Sequence, residues 1–346
     1  MSGGMDSTCA AWLLVKKGFS VEGFTLKMLP DDAAGDKSCC SLASINRAKA
    51  FCEKMGIRHT MIPVTEIFEK KIIDDFGAKY ASGLTPNPCV VCNREIKFGY
   101  LLDRVRGLGF DFLATGHYVR KIFDPFRKIW FLAKNRDRRK DQSYFLSGLS
   151  QDQLRNAVFP LAGLMKNKVK AILSRAGLNA QSLRESQDIC FLGASQDYRQ
   201  FLRQRLGPEK IRKGRFILPD GRVLAEHGGL PFYTPGQRKG LGLAWSEPLY
   251  VKRLDPVTGD ITVAEKDRLL QARFTVNDLN FYRLARKAER FSVRIRYQFK
   301  PRPARVIPLS DGRLQVDFIG FACEIPSGQR AVFYKGGVVV GSGNIE

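Results

Sequence analysis

The sequence has no hydrophobic run that approaches the ~20 residues of a membrane-spanning helix, and no secretory signal pattern precedes its first glycines. It also contains no Gly-Lys-Ser/Thr phosphate loop, no internal repeat and no low-complexity linker. These absences argue against a membrane protein, a secreted protein and a repeat array. We therefore expect a cytoplasmic protein, whose 346 residues, 44% of them hydrophobic, suffice for two or three domains.

Acidic side chains are scarce relative to basic ones. Asp and Glu number 34 against 57 Lys and Arg, which gives a formal net charge of +23. An excess of this size favours a polyanionic partner over generic surface charge. Nucleic acid and acidic lipid both fit, but the sequence contains no long amphipathic basic helix of the kind that lies on membranes. Composition therefore favours nucleic acid.

The chain begins with a loop of small residues, SGGMDS, that opens directly into a helical pattern. Gly3 and Gly4 let the backbone approach a ligand, and the hydroxyls of Ser2 and Ser7 add hydrogen-bond donors. The free N–H groups and the positive end of the helix dipole then point at one spot. The pattern predicts a phosphate site, in which Asp6 caps the helix or helps to hold a metal ion. An ordinary helix start is the plain alternative.

Helix-like and strand-like segments then alternate as in an open α/β sheet. We predict helices at 8–17, 44–55, 65–80 and 95–106 and strands at 19–28, 59–64 and 110–115. Ligands of such sheets bind at the carboxyl ends of the strands, which places Gly116 and His117 near the phosphate site. His117 is equally consistent with a hydrogen bond inside its loop. Because no apolar run precedes Ser2, we expect the usual first strand to be missing or truncated.

Eight cysteines in a reducing compartment point to metal ligation, catalysis or burial rather than to structural disulfides. Cys89 and Cys92 form a CxxC motif after two prolines, which we expect to hold the pair in an extended loop ahead of the next helix. Nearby Arg94 and Lys97 would stabilise a thiolate there. A lone CxxC suits zinc, redox exchange or catalysis, but no second CxxC completes a four-cysteine zinc site. Considered alone, Cys190 is typical of a buried, inert cysteine.

Several later segments suggest RNA contact or small β domains. Polar groups beside aromatics at 140–146, among them Lys140 and Gln142, suit a splayed RNA base or a turn into a strand. Residues 119–133 alternate around a central Asp-Pro like a basic hairpin. Arg238 and Lys239 lie in a glycine-rich basic loop. Beyond about residue 267, short β-like runs between turns predict an antiparallel barrel.

Six motifs stand in order along the chain: the SGGMDS loop, TPNPCxxCNxxIKF, ATGHY, KDQSYFL, ESQDICF and FYTxGQRKGLG. The first resembles the PP-loop of the N-type ATP pyrophosphatases, and the combination resembles the tRNA-specific 2-thiouridylases over essentially the whole length. The resemblance implies a doubly wound parallel-sheet PP-loop ATPase domain (1–153 and 184–199). It also implies a central α+β module that binds tRNA (154–183 and 200–266) and a C-terminal antiparallel β-barrel (267–346).

The resemblance further implies a reaction and its participants. Such an enzyme replaces the C2 oxygen of the wobble uridine, U34, by sulfur in tRNAs for lysine, glutamate and glutamine, using ATP and Mg²⁺ to adenylate that oxygen. Met28 and Gly116 would join the loop in binding ATP. The residues that would contact the anticodon stem-loop are Asn87, Lys140, Gln142, Arg238 and Lys239. A sulfur-carrier protein or a desulfurase-derived persulfide would supply the sulfur to a monomeric enzyme.

Two routes for the sulfur follow from the resemblance. In the first, Cys190 carries sulfur as a persulfide and Cys92 resolves it as a disulfide, so a reductant is needed. In the second, Cys89, which replaces an Asp found in many members, joins Cys92 and Cys190 as ligands of a [4Fe–4S] cluster. Another PP-loop enzyme, such as an amidotransferase-type, lysidine or 2-thiocytidine synthetase, is an alternative that the paired cysteines disfavour. An RNA-binding protein that has lost its ATPase is a second alternative.

Overall fold

The computed structural model describes residues 1–30, 41–178, 189–192, 197–282 and 287–346. The chain divides into two compact units. The first comprises Met1–Ile72, Cys89–Gln196 and Gly337–Val339, and the second comprises Ile73–Pro88, Asp197–Gly336 and Val340–Glu346. Among the residues just given, no helix combines the length and the apolar character needed to cross a membrane.

The first unit alternates helices with short strands, as the sequence predicts. In chain order its elements are α1 (Met5–Lys16), β1 (Gly23–Lys27), α2 (Leu42–Lys54), β2 (His59–Pro63), α3 (Thr65–Phe68), the π-helix π1 (Glu69–Ile73), α5 (Pro88–Val91), the π-helix π2 (Cys92–Leu101), α6 (Leu102–Gly107), β3 (Leu113–Ala114), β4 (Val119–Asp124), β5 (Ile129–Lys134), α7 (Gln151–Asn156), β6 (Ala157–Val158) and α8 (Lys166–Arg175). β1 pairs in parallel with β2, and β3 pairs in parallel with β6. These helices and parallel strand pairs confirm the expected α/β character.

The N-terminus lies against β1. No strand precedes α1 among the described residues. The amino group of Met1 donates to the carbonyl of Phe24, and the Met1 carbonyl accepts a hydrogen bond from Thr25 Oγ1 at 2.7 Å. The first residue is therefore held alongside β1, and it fixes the start of the loop that leads into α1.

The core of the first unit forms where α1 meets α8. Cys9 and Ala10 of α1 share one buried cluster with Leu161, Val169 and Leu173. Small side chains on α1 allow the two helix backbones to approach closely, and the leucines of the partner segment fill the remaining space. α8 lies within 154–183, the stretch that we expected to join the central module, and it packs on α1 in the first unit.

The second unit contains two β assemblies. Its elements are α4 (Asp74–Ala81), α9 (Tyr198–Arg205), a 3₁₀ turn (Pro208–Lys210), β7 (Gly214–Ile217), β8 (Val223–His227), a 3₁₀ turn (Leu230–Phe232), β9 (Leu249–Leu254), β10 (Ile261–Glu265), a 3₁₀ turn (Lys266–Leu269), β11 (Arg273–Phe281), β12 (Glu289–Arg294), β13 (Arg302–Pro308), β14 (Leu314–Phe318), β15 (Arg330–Lys335) and β16 (Val338–Ile345). A four-stranded sheet has the order β8-β7-β10-β9. Six strands in the order β11-β14-β13-β12-β15-β16 close into a barrel through β11 and β16, which confirms the predicted C-terminal barrel.

Candidate active site

The loop before α1 is folded on itself by its two serines. The Ser2 backbone N–H donates to Ser7 Oγ at 3.2 Å, and the two hydroxyl oxygens lie 3.0 Å apart. Ser7 Oγ in turn donates to the Gly4 carbonyl at 3.0 Å. Gly4 is the N-cap of α1, and a glycine has no side chain with which to cap the amides of the first turn. Those amides and the helix dipole therefore favour an anion at this point.

Two glycines allow other segments to press against the loop. Gly3 has φ 65°, and a Cβ there would clash with the carbonyl oxygen of Ser44 in the first turn of α2. A Cβ on Gly116 would lie 2.6 Å from the carbonyl carbon of Asp6. Both positions require glycine because backbone atoms occupy the space of a side chain. The structure thus brings together the loop and Gly116, which the sequence predicted to share a site.

Lys166 completes this corner of the site, and the sequence analysis missed it. Its Nζ lies 2.7 and 2.9 Å from the two carboxylate oxygens of Asp6, and Tyr118 donates its hydroxyl to Asp6 Oδ1 at 2.7 Å. The Lys166 side chain is only 11% exposed. Its neighbours along α8 suggest a solvated basic face, and 160 residues separate it from Asp6, so no local pattern could have identified the contact.

Cys9, which lies beside Asp6 in α1, is excluded as a nucleophile by its burial. Cys9 lies one helical turn after the loop and is fully buried. Burial, and to a lesser extent the negative charge of Asp6, raises the pKa of the Cys9 thiol to about 12. A thiol of this kind stays protonated at neutral pH and is a poor nucleophile. Cys9 is therefore a core residue of α1.

Cys89 and Cys92 lie inside a helical segment, which corrects the extended loop predicted from the two prolines. Pro88 begins α5, and the chain continues directly through π2 and α6 to Gly107. Proline is favourable in a first helical turn, because its fixed φ suits the helix and its missing N–H would have had no partner there. Cys92 is the first residue of π2 and is 7% exposed, whereas Cys89 is half-buried. π-helical segments occur frequently at functional sites.

Cys190 is connected to this helical segment through its neighbour. The ring of Phe191 meets Phe68 edge-on, with ring centroids 6.1 Å apart, and both rings are buried. Phe68 ends α3, and α3 packs against π2, whose first residue is Cys92. Cys190 itself is partly exposed, unlike the inert buried cysteine that its sequence surroundings alone suggest. Residues 185–188 of its motif lie outside the described residues.

Two further cysteines of the described residues, Cys52 and Cys323, are not part of a metal-ligand group. Cys39 and Cys40 lie outside the described residues, and burial raises the pKa of both Cys52 and Cys323. In the part of the chain that the structure describes, no three His, Cys, Asp or Glu side chains are grouped so as to hold a metal ion. The [4Fe–4S] ligand set of Cys89, Cys92 and Cys190 and a magnesium ion at Asp6 stay predictions.

His117 follows Gly116 and carries no positive charge at neutral pH. Its Nδ1 lies 2.9 Å from Thr115 Oγ1, and its ring contacts those of Phe98 and Phe159, with centroids 6.3 and 6.4 Å away. Burial, and to a lesser extent the positive charge of Lys97, lowers the pKa of His117 to about 3. The loop hydrogen bond considered from the sequence is present, and the neutral ring cannot attract a phosphate as a cation would.

The residues of the first unit that were predicted to bind nucleotide or RNA differ in burial and in their hydrogen bonds. Met28 directly follows β1 and is buried, at the carboxyl end where the sequence predicts it. Gln142 accepts a hydrogen bond from the Tyr118 N–H at 2.9 Å and donates its own N–H to the Tyr118 carbonyl at 3.0 Å. Gln142 thus braces the tyrosine that contacts Asp6. Lys140 is half-buried.

The other predicted RNA-binding residues belong to the second unit. Arg238 and Lys239 are exposed in the loop between β8 and β9. Asn87 Nδ2 donates to Gln329 Oε1 at 3.3 Å, and Gln329 Nε2 donates to the carbonyls of the two preceding loop residues at 3.1 Å each. The loop that carries Asn87 is therefore held by a barrel residue of the same unit.

Comparisons with known proteins agree along the whole chain. Residues 1–194 match the family described as tRNA methyl transferase HUP domain, 199–265 match tRNA methyl transferase PRC-barrel domain, and 271–345 match Aminomethyltransferase beta-barrel domain. The tRNA-specific 2-thiouridylase MnmA of Moorella thermoacetica is 42% identical over 352 residues, which cover 100% of this chain and 98% of that protein. The MnmA of Carboxydothermus hydrogenoformans is 40% identical, with 100% and 96% covered. That of Acetivibrio thermocellus is 37% identical, with 100% and 98% covered.

Proposed function

The chain belongs to the family of tRNA-specific 2-thiouridylases (MnmA), and on this premise we propose that it replaces the C2 oxygen of a tRNA uridine by sulfur in an ATP-dependent reaction. The observation that carries the proposal is the connection from Cys190 through Phe191 and α3 to the helix that begins at Cys92. Both cysteines belong to the unit that also holds the anion-binding loop. A thiol pair and a phosphate site together suit sulfur transfer to an activated oxygen.

The loop would serve the activation step. A uridine C2 carbonyl is a poor electrophile, so its oxygen first attacks the α-phosphorus of ATP, the α–β anhydride bond breaks, and pyrophosphate leaves. The first-turn amides of α1 would bind the phosphates and stabilise the negative charge that develops on the leaving group. Mg²⁺ that accompanies ATP would neutralise part of that charge. Lys166 holds Asp6 against the loop so that the loop keeps its shape.

The cysteines would serve the sulfur step. The outer sulfur of a persulfide on Cys190 attacks C2, and AMP leaves. The Cys92 thiolate then attacks Cys190 Sγ, the sulfur–sulfur bond to the substrate breaks, and the uridine retains the sulfur. The resulting Cys92–Cys190 disulfide must be reduced by an external dithiol before the next cycle. We propose the persulfide route because it needs only these two thiols, a persulfide donor and a reductant.

The finer assignments rest on the family alone. We propose the wobble position U34 of the tRNAs for lysine, glutamate and glutamine as the target, with sulfur from a carrier protein or desulfurase persulfide and a monomeric cytoplasmic enzyme. We also propose that Asn87, Lys140, Arg238 and Lys239 contact the anticodon stem-loop. Gln142 would act there indirectly through Tyr118, because its side chain is already bonded to that backbone.

The direct test is a thiolation assay on unmodified tRNA with ATP, Mg²⁺ and a sulfur donor, followed by nuclease digestion and mass spectrometry. We expect 2-thiouridine from the wild type and none from Cys92→Ser or Cys190→Ser. Cys323→Ser is the matched control, because Cys323 lies in the second unit and should leave the product yield unchanged. Full activity in both serine variants, or a methylated product, would overturn the proposal.

Iron analysis of the same protein separates the two sulfur routes. Protein prepared without oxygen should thiolate tRNA fully while containing no iron, since the reaction proposed here needs only thiols and a persulfide. Activity that tracks the iron content and is lost on chelation would instead support the cluster and contradict the persulfide route.

A further inference from the structure

The hairpin formed by β4 and β5 carries aromatic side chains into solvent. Phe126 in its turn is 95% exposed, and Phe123 on β4 is 44% exposed. The ring of Phe123 lies 4.8 Å from that of its cross-strand partner Trp130. Single exposed apolar residues are common on protein surfaces, but a group of aromatics at the end of a projecting element marks an interaction site.

The turn holds Phe126 in a fixed position. Asp124 Oδ1 accepts hydrogen bonds from the backbone N–H groups of Phe126 and Arg127 at 3.0 and 3.1 Å. Asp124 Oδ2 accepts a third hydrogen bond from the Arg127 guanidinium at 2.7 Å. The next residue, Lys128, has φ 55°, which closes the turn. A turn ordered in this way loses little conformational entropy when it binds a partner.

The hairpin is strongly basic. Between residues 119 and 134 the sequence has five Lys or Arg residues and one acidic residue, Asp124, which is itself paired with Arg127. Along β4 the hairpin borders a cleft of about 500 Å³ that is lined by Arg120, Lys121 and Arg136, together with 162–164. The aromatic turn and the basic cleft therefore belong to one continuous element of the first unit.

Not every cation of the hairpin is available to a partner. Lys121 Nζ donates to the carbonyls of Leu154, Arg155 and Ala157, and it lies 4.1 Å from the centre of the Trp130 ring. Its role is to fasten the hairpin to the end of α7. Arg120 and Lys128 of the hairpin, and Arg136 just after it, are exposed. Arg120 Nε also donates to the Lys134 carbonyl at 3.0 Å.

We propose that this hairpin is a tRNA-docking element, in which Phe126 stacks on an unpaired base while Arg120, Lys128 and Arg136 contact phosphates. The proposal rests on tRNA being the substrate, as inferred above. Bases in an A-form duplex are shielded, so an exposed ring can stack only on a base in a loop or bulge. An aromatic ring flanked by cations is the arrangement with which proteins bind single-stranded RNA regardless of sequence.

Binding of unmodified tRNA to the purified full-length protein, without ATP, tests the proposal. Loss of one stacked base should raise the Kd of Phe126→Ala about 5- to 150-fold. Phe126→Leu should be weakened similarly because it keeps an apolar side chain but no ring, whereas Phe126→Trp should bind like the wild type. Lys128→Gln should lower the slope of log Kd against log salt by about one. Val257→Ala is the control, because Val257 is also an exposed apolar side chain, at 77%.

The outcomes separate this proposal from the proposed function. Wild-type Kd values for both Phe126→Ala and Phe126→Leu overturn the docking role while thiolation itself stands. A second result would also overturn the docking role. If a variant binds tRNA normally and loses thiolation only with a protein sulfur donor, but not with a small-molecule persulfide such as glutathione persulfide, the hairpin docks a protein partner. A wild type that binds no tRNA overturns the proposed function together with this inference.

Discussion

Replacing Lys166 by methionine should impair ATP use far more than it disturbs the fold. The change removes the ammonium group that lies 2.7 and 2.9 Å from the Asp6 carboxylate oxygens and keeps a side chain of similar length. The Asp6 side chain is 36% exposed and that of Lys166 is 11% exposed. Surface ion pairs contribute about 0–1 kcal/mol, and breaking a fully buried pair costs about 3–5 kcal/mol. We therefore expect the pair to favour the ATP-binding shape of the loop by about 2 kcal/mol. Its loss lowers the population of that shape, and with it kcat/KM for ATP, roughly thirtyfold.

The assay is thiolation at saturating tRNA with ATP varied, together with ATP binding measured separately. A double-mutant cycle with Asp6→Asn determines whether the two residues act as one unit: the double variant should lose little more than either single variant. Tyr118→Phe removes one hydrogen bond to Asp6 and should cost about 1 kcal/mol, or roughly fivefold. Lys168→Met is the control, since Lys168 is exposed on the same helix and should not alter the ATP dependence.

Three results would refute this reasoning. A Lys166→Met variant with wild-type ATP dependence would show that the ion pair with Asp6 does not shape the loop. If the losses of kcat/KM for ATP simply add in the double variant, Lys166 and Asp6 act on ATP independently. Lys166 would then still contribute to ATP use. A large fall in the unfolding midpoint of Lys166→Met alone would assign the lysine to stability.

Three further predictions concern the same unit. Gly116→Ala should lower the thiolation rate at least tenfold and the unfolding free energy by about 1–3 kcal/mol, because its Cβ would lie 2.6 Å from the Asp6 carbonyl carbon. Gly107→Ala is the control. Among the described residues no atom lies close to its Cβ, so it should behave as wild type in urea unfolding. His117 has its pKa lowered from 6.5 to about 3 by burial, so the unfolded chain binds the extra proton and stability falls as pH drops below 6.5. Near pH 5.5 the loss is roughly 1 kcal/mol, and urea unfolding of His117→Gln should lack it. Cys9, with its pKa raised to about 12, should resist iodoacetamide near pH 8 and react only in urea, and labelling of the native protein detected by peptide mass spectrometry would contradict its burial.

The sequence was informative wherever the chemistry depends on neighbours along the chain. Gly3, Asp6 and Ser7 belong to one contiguous motif, so a folded loop ahead of α1 could be predicted from spacing and residue type, and its binding of an anion stays a prediction. The alternating pattern of residues 119–133 predicted the β4–β5 hairpin, and the short runs after residue 267 predicted the closed barrel. Local patterns of this kind determine element type because each period matches one backbone geometry.

The sequence was uninformative about contacts between segments that are distant along the chain. It was also uninformative about which side chains are left exposed after packing. Lys166 has the same local pattern as its solvated neighbours, and only the packing of α8 on α1 brings it to Asp6. Pro88 was interpreted as a residue that stiffens a loop, but proline is equally suited to begin a helix, and the local sequence does not distinguish the two. The exposure of Phe126 follows from the absence of a packing partner in the described part of the chain, which alternation cannot reveal.

The π-helix that begins at Cys92 changes how this segment tolerates insertion and deletion. Each α-helical residue turns the chain by about 100°, and a π-turn behaves as an α-turn with one residue added. Deleting one residue from π2 would let the segment rewind as a regular α-helix and improve its hydrogen bonding. The same deletion would rotate every side chain on one side of the cut by about 100° relative to the other. The Cys92 side chain would then point in another direction, although the helix would be more regular. The π-helical winding therefore sets the direction of the Cys92 thiol. We expect the deletion to give a more stable protein with less activity.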